Sequence, residues 1–199
     1  MTITGQGWEL FVERLCVQKA GERRRTWGRY QVHRDGVAAP GLSGFMCECV
    51  GPGNNAVADT GLRIEAGRYR LTTQFGRYRT SGYCEDLSEA GRDPMPGFRL
   101  EDTGNRTAIL VHTAHPPNLY LSSVGCLNPT GPLEADQDMD FRESRARVVA
   151  LIDDLRRFAP DAFATEVNTP IDGAFVVIVG EPAKFPSPLA GEGVCEADG

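Results

Sequence analysis

Between residues 8 and 112 the chain offers no sustained helical period. Apolar side chains alternate in short runs, and glycine or proline cuts each run off. With 23 glycines and 13 prolines the backbone can turn often. The first run, Trp8 to Gln18, puts Trp8, Leu10, Val12 and Arg14 on one face, with Phe11 and Leu15 on the other, as a strand does. Further strand-like segments follow at 26–33, 44–50, 62–64, 67–75, 97–100 and 107–112, separated by loops over 51–61 and 81–97. Short strands at this spacing predict a mainly β fold, a β-sandwich or a barrel.

One helix breaks the pattern, over 142–158. Asp140 and Glu143 have capping-box spacing, and Val148, Leu151, Ile152 and Leu155 follow at i, i+3, i+4 and i+7. Pro160 stops it. The opposite face, with Arg145, Arg147, Asp153, Asp154, Arg156 and Arg157, reads as solvated. The continuous apolar run 174–180 reads as a buried strand. A chain of 199 residues is sized for one domain, placed here at 1–181. From Pro182 to Gly199 the composition turns to proline, glycine, alanine and acid, which predicts a disordered tail.

The formal net charge is −6, with the first hundred residues slightly basic and the remainder acidic. That balance argues against nucleic acid as a partner. No apolar run reaches the ~20 residues of a membrane-spanning helix. The opening MTITGQGWELFVERLC lacks the basic-then-apolar order of a secretory signal, so the expectation is synthesis in the cytosol, with any exit by a non-classical or phage-associated route. Of six cysteines, Cys47 and Cys49 share a strand face. A Cys-Glu-Cys pair with His33 as the only nearby histidine falls short of a metal-ligand set, and the two read as buried thiols. No cofactor is implied.

Chemistry concentrates in 105–131, NRTAILVHTAHPPNLYLSSVGCLNPTG. An apolar strand delivers His112, and a second strand-like piece, Asn118 to Leu121, leads to Gly125-Cys126. An acyl-transferring cysteine needs a base, and His112 is placed to accept the thiol proton, making thiolate more accessible at neutral pH. Gly125 permits a tight turn that aims backbone N–H groups at one oxyanion. Ser123 or Asn128 can orient the imidazole or an acyl carbonyl. Arg106, read on an extended strand, lies ~20 Å from His112 and is left outside the site. His115, before Pro116, reads as a solvent-facing loop residue. Tyr69, Tyr78, Tyr83 and Tyr120 are candidates to line a groove with the nearby arginines.

Ser123-Val124-Gly125-Cys126-Leu127-Asn128 resembles the Ser/Thr-His-Gly-Cys-hydrophobic-Asn signature of the L,D-transpeptidases (the YkuD-like family), with His112 matching their upstream histidine. The layout is similar to a short group of related bacterial and phage domains of unknown function. The pieces that carry this likeness are Cys47-Glu48-Cys49-Val50, Ile64-Glu65-Ala66-Gly67-Arg68-Tyr69, Leu110-Val111-His112, Gly125-Cys126 and the helix containing Ser144. Val124 stands where the signature has histidine. The resemblance implies an L,D-transpeptidase-like fold and acyl transfer on peptidoglycan stem peptides. Cys126 would be the nucleophile and His112 the base, with cross-linking or carboxypeptidase-like cleavage as outcomes. The alternative is a non-catalytic, phage- or secretion-associated binding or structural domain on the same scaffold.

Overall fold

A computed structural model describes residues 2–182. Nine strands run in chain order: β1 (Trp8–Ala20), β2 (Arg23–Arg34), β3 (Val37–Glu48), β4 (Gly67–Thr72), β5 (Tyr78–Arg79), β6 (Met95–Leu100), β7 (Leu110–His112), β8 (Asn128–Thr130) and β9 (Pro170–Val179). A helix, α1 (Phe141–Phe158), lies between β8 and β9 and is followed by a 3-10 turn at Pro160–Phe163. The fold is mainly β, with one mixed sheet ordered β5-β6-β4-β9-β1-β2-β3-β8 and β7 paired to β6.

Strands β1, β2 and β3 form an antiparallel meander. Asp35 and Gly36 join β2 to β3 with φ of 48° and 81°, the pair of positive values that a two-residue hairpin of matching twist requires. The late strand β9 enters the middle of the sheet, parallel to β1 and antiparallel to β4. The strand path then closes. Leu127, just before β8, bridges Val111 of β7 in parallel, with His112 N–H donating to Leu127 O at 3.0 Å and Leu127 N–H to Leu110 O at 2.8 Å. Because β8 pairs with β3 and β7 with β6, this bridge links the two sides of the sheet into a ring.

The main core fills one side of this ring. Trp8, Leu10 and Val12 from β1, Val176 and Ile178 from β9, and Val148, Leu151, Ile152 and Leu155 from α1 are all buried in it. The β1 alternation therefore works as read, with Arg14 also buried, paired to Glu48. Helix α1 starts where its cap requires: Asp140 accepts the Glu143 N–H at 2.7 Å. The Glu143 carboxylate turns to Arg147 at 2.9 Å instead of reaching back to Asp140, so half of the capping box forms.

Several local expectations are corrected. The segment 62–64 is not a strand, although Arg63 and Ile64 are buried. Asn118 to Leu121 turns instead of extending, because Ser122 Oγ accepts from His115 N–H and donates to Asn118 O at 2.8 Å, knotting the loop. The strand expected over 107–112 shortens to β7. Asp154 and Arg145 are buried instead of solvated: Asp154 accepts from Trp8 Nε1 at 2.9 Å and pairs with Arg34 and Arg157, and Arg145 donates to Cys84 O. The tail predicted for 182–199 lies, from residue 183 on, outside the described residues. Among the described residues no helix is long and apolar enough to cross a membrane.

Candidate functional site

The bridge between β7 and Leu127 brings the chemistry together. Val111 and Leu127 both point into the main core with no exposed surface. Their neighbours in sequence must then face the other side of the sheet, which puts Leu110 and His112 beside Cys126 and Asn128. The parallel register sets Leu110 opposite Cys126 and His112 opposite Asn128, so Cys126 and His112 lie diagonally on one face. On the far flank, β3 pairs Cys47 with Asn128, and continuing that antiparallel register sets Cys49 opposite Cys126. Cys49 is buried and its Sγ lies 3.3 Å from Ser123 O. Cys47, Cys49, Cys84 and Cys126 are free thiols.

His112 is held tightly. Its Nδ1 lies 2.8 Å from the Thr113 carbonyl, an oxygen that can only accept, so Nδ1 carries the proton and Nε2 keeps the lone pair. The Tyr78 ring covers the imidazole with centroids 4.3 Å apart. Gly97, across from His112 in β6, makes that stack possible: a Cβ there would press on both the His112 and the Tyr78 Cβ at 3.2 Å. Burial holds His112 down to about 4, with its bond to Thr113 opposing. The ring is neutral across the physiological range, and burial makes it a weak proton acceptor.

Cys126 sits at the floor of a cleft of about 270 Å³ lined also by Asp59, Arg106, Ala108 and Val124. Its Sγ accepts from Leu110 N–H at 3.4 Å and faces Ala108 O at 3.6 Å. The expected fall in thiol pKa is not what the surroundings produce. Burial pushes the thiol up to about 11, against the smaller downward pull of the Leu110 N–H and the Arg106 charge. At rest the site therefore holds a neutral thiol and a neutral imidazole.

The remaining predicted residues brace the turn. Ser123 Oγ donates to Cys126 O at 2.7 Å and accepts the Gly125 N–H at 2.9 Å, so both groups are engaged with each other and neither reaches the imidazole. Gly125 has φ of 145°, and a Cβ on it would collide with Arg106 Nη2. Asn128 Nδ2 donates to His112 O at 3.1 Å, fixing the histidine's backbone more than its ring. The Asn128 Oδ1 is buried with no hydrogen-bond partner among the described residues.

Three contributors were outside the sequence reading of the site. Thr113 acts through its carbonyl, which no side-chain pattern announces. Tyr78 is the one tyrosine of the proposed groove that reaches His112, and it also bonds His115 Nε2 at 3.0 Å, so His115 is half-buried instead of solvent-facing. Arg106 lines the Cys126 cleft because Ala108, with φ of 54°, folds the approach to β7 that an extended reading had drawn straight.

Comparison of the chain with known protein families, with curated proteins and with solved structures finds no match.

Proposed function

We propose that this protein is a cysteine acyl-transfer enzyme of L,D-transpeptidase type, acting on peptidoglycan stem peptides by cross-linking or by carboxypeptidase-like cleavage. The observation that carries the reading is the placement of Cys126 and His112 on one face of bridged strands, with the His112 tautomer fixed by the Thr113 carbonyl. The Gly-Cys motif and its upstream histidine resemble that family, and a mainly β fold accommodates it.

In this mechanism the thiol is not a standing thiolate. A stem peptide seats its acyl carbonyl over Cys126, Sγ attacks carbon, and the thiol proton passes to His112 Nε2 as the bond forms. The Cys126 N–H and the turn around it hold the tetrahedral oxyanion. Collapse breaks the C–N bond, and His112 returns its proton to the leaving amine of the terminal residue. The thioester then passes to a second amine or to water. The transfer is uphill from the resting state, with the thiol near 11 and the imidazole near 4, so it must be concerted with attack on the bound carbonyl.

The elevated thiol pKa favours one other reading, a non-catalytic binding or structural domain in which Cys126 is an inert packing residue. Incubation with purified disaccharide tetrapeptides separates the two. The enzyme reading predicts release of the terminal residue and a hydrolysed or dimeric muropeptide by mass spectrometry, both lost in Cys126→Ser. Intact muropeptides with a correctly folded protein, across acceptor amines and pH, would favour the binding domain.

A further inference from the structure

The Tyr78 ring that covers His112 is carried on a strand of two residues, Tyr78 and Arg79, paired with Met95 and Pro96 of β6. So short a strand fixes its side chains weakly, and the far end of this one is tied down instead. The Tyr78 hydroxyl lies 3.0 Å from His115 Nε2. His115 Nδ1 lies 2.9 Å from Pro116 O, which can only accept, so Nδ1 carries the proton and Nε2 accepts the Tyr78 O–H. Burial pushes the phenol up to about 12, so it keeps that proton. His115 is anchored in turn. Its N–H donates to Ser122 Oγ at 2.8 Å, and Gly91, at φ of 79°, packs so closely that a Cβ there would stand 3.2 Å from the His115 Cβ. The three rings form one cluster, with the His112 and His115 centroids 6.3 Å apart.

We propose that His115 is a positioning residue, acting through Tyr78 to hold the His112 ring in one orientation and to keep water off it. The assignment rests on the reading of His112 as the base. The Thr113 carbonyl fixes one edge of the imidazole, and Tyr78 covers one face. With its hydroxyl untied, the phenol ring can swing away from this stack, and water then reaches an imidazole that is now 2% exposed. Water favours the charged form, so the neutral acceptor would be lost in milder acid. The titratable groups around the ring are Tyr78 on its face, His115 beyond it and Cys126 across the bridge, with the Arg77 charge just before β5. A phenol can also accept, so the tie survives a change in the proton count of His115.

The test follows the three histidines of the full chain by NMR through a pH titration, with His112 assigned from its absence in His112→Gln. The wild-type midpoint of His112 is expected at about 4. Tyr78→Phe, which keeps the ring and drops the tie, should raise it to about 5 or above. His115→Ala should do the same, and the double variant should go no further than the singles. His115→Gln keeps an acceptor for the hydroxyl and should leave the midpoint near the wild-type value. The acid limb of kcat/KM for acylation by a disaccharide tetrapeptide should move with the midpoint in each variant. Should His115→Ala fail to fold, Tyr78→Phe and His115→Gln decide the matter. A midpoint unmoved in folded Tyr78→Phe overturns the positioning role while leaving Cys126 and His112 standing. So does a His115→Gln midpoint equal to that of His115→Ala, since loss of the His115 charge alone would then account for both. No acyl adduct on a folded wild type overturns the enzyme reading and the positioning role together.

Discussion

Replacing Gly125 by alanine probes how the turn before Cys126 is built. The backbone there has φ of 145°, which an L side chain resists at a cost of about 1–3 kcal/mol. The new methyl group would also fall on Arg106 Nη2 and lie 3.1 Å from Ile109 Cδ1. Moving the guanidinium weakens its bonds to Leu62 O and Val124 O, and hydrogen bonds of a charged group are worth about 1.5–3 kcal/mol each. With one of the two lost, Gly125→Ala should cost about 3–5 kcal/mol, a large share of a stability of about 5–15 kcal/mol. For a domain of this size that is a fall in Tm of about 10 °C. Urea unfolding of a double-mutant cycle isolates the cause. In an Arg106→Ala background the collision is gone, so Gly125→Ala should cost only its backbone strain, leaving a coupling of about 2 kcal/mol. Additive costs would refute the contact between Arg106 and the turn, and a neutral Gly125→Ala would refute the geometry of the turn itself.

Three further outcomes follow from the same physics. Asp154→Ala should destabilise the fold by about 3–5 kcal/mol in denaturant titration, because it strips the buried partner from Trp8 Nε1, Arg34 and Arg157; a loss below 1 kcal/mol would deny Asp154 that role. Asp140→Ala should cost about 1 kcal/mol by removing the cap of α1, read by the same titration, with no change expected in Cys126 labelling. His112 is about 4 in the folded chain and near 6.5 unfolded, so the unfolded state binds the extra proton in between. Stability should therefore be unaffected by this group above pH 6.5, fall by about 3 kcal/mol as pH drops to 4, and level off below. His112→Gln should remove that slope, and an unchanged slope would place the proton uptake elsewhere.

Long patterned elements were legible in the sequence because many residues vote for each. The alternation of Trp8, Leu10 and Val12 fixes the inner face of β1, and Val148, Leu151, Ile152 and Leu155 fix that of α1. Strands β7 and β8 have three residues each, too few for a period to declare itself, and β8 contains Pro129. Asp154 shows the limit of reading a helix face from charge alone. It continues the polar stripe in sequence, yet Trp8 and Arg34 from the sheet close over it. At the site, residue chemistry picked out Cys126 and His112, and the apolar neighbours Val111 and Leu127 explain why both face one way. What remained hidden depends on backbone: the Thr113 carbonyl that sets the tautomer, and the positive φ at Ala108 that bends the chain so that Arg106 reaches the cleft. The raised thiol pKa was hidden as well, since it comes from burial under loops that composition does not place.

The most direct test of the account is the rate at which Cys126 becomes acylated by a disaccharide tetrapeptide, followed by rapid quench and intact-protein mass, in the wild type and in His112→Gln. The account predicts a thioester on Cys126 in the wild type whose formation is slowed by ~10²–10⁴-fold when the base is removed, with the fold retained. Equal rates in the two proteins, or no adduct on a folded wild type, would contradict it.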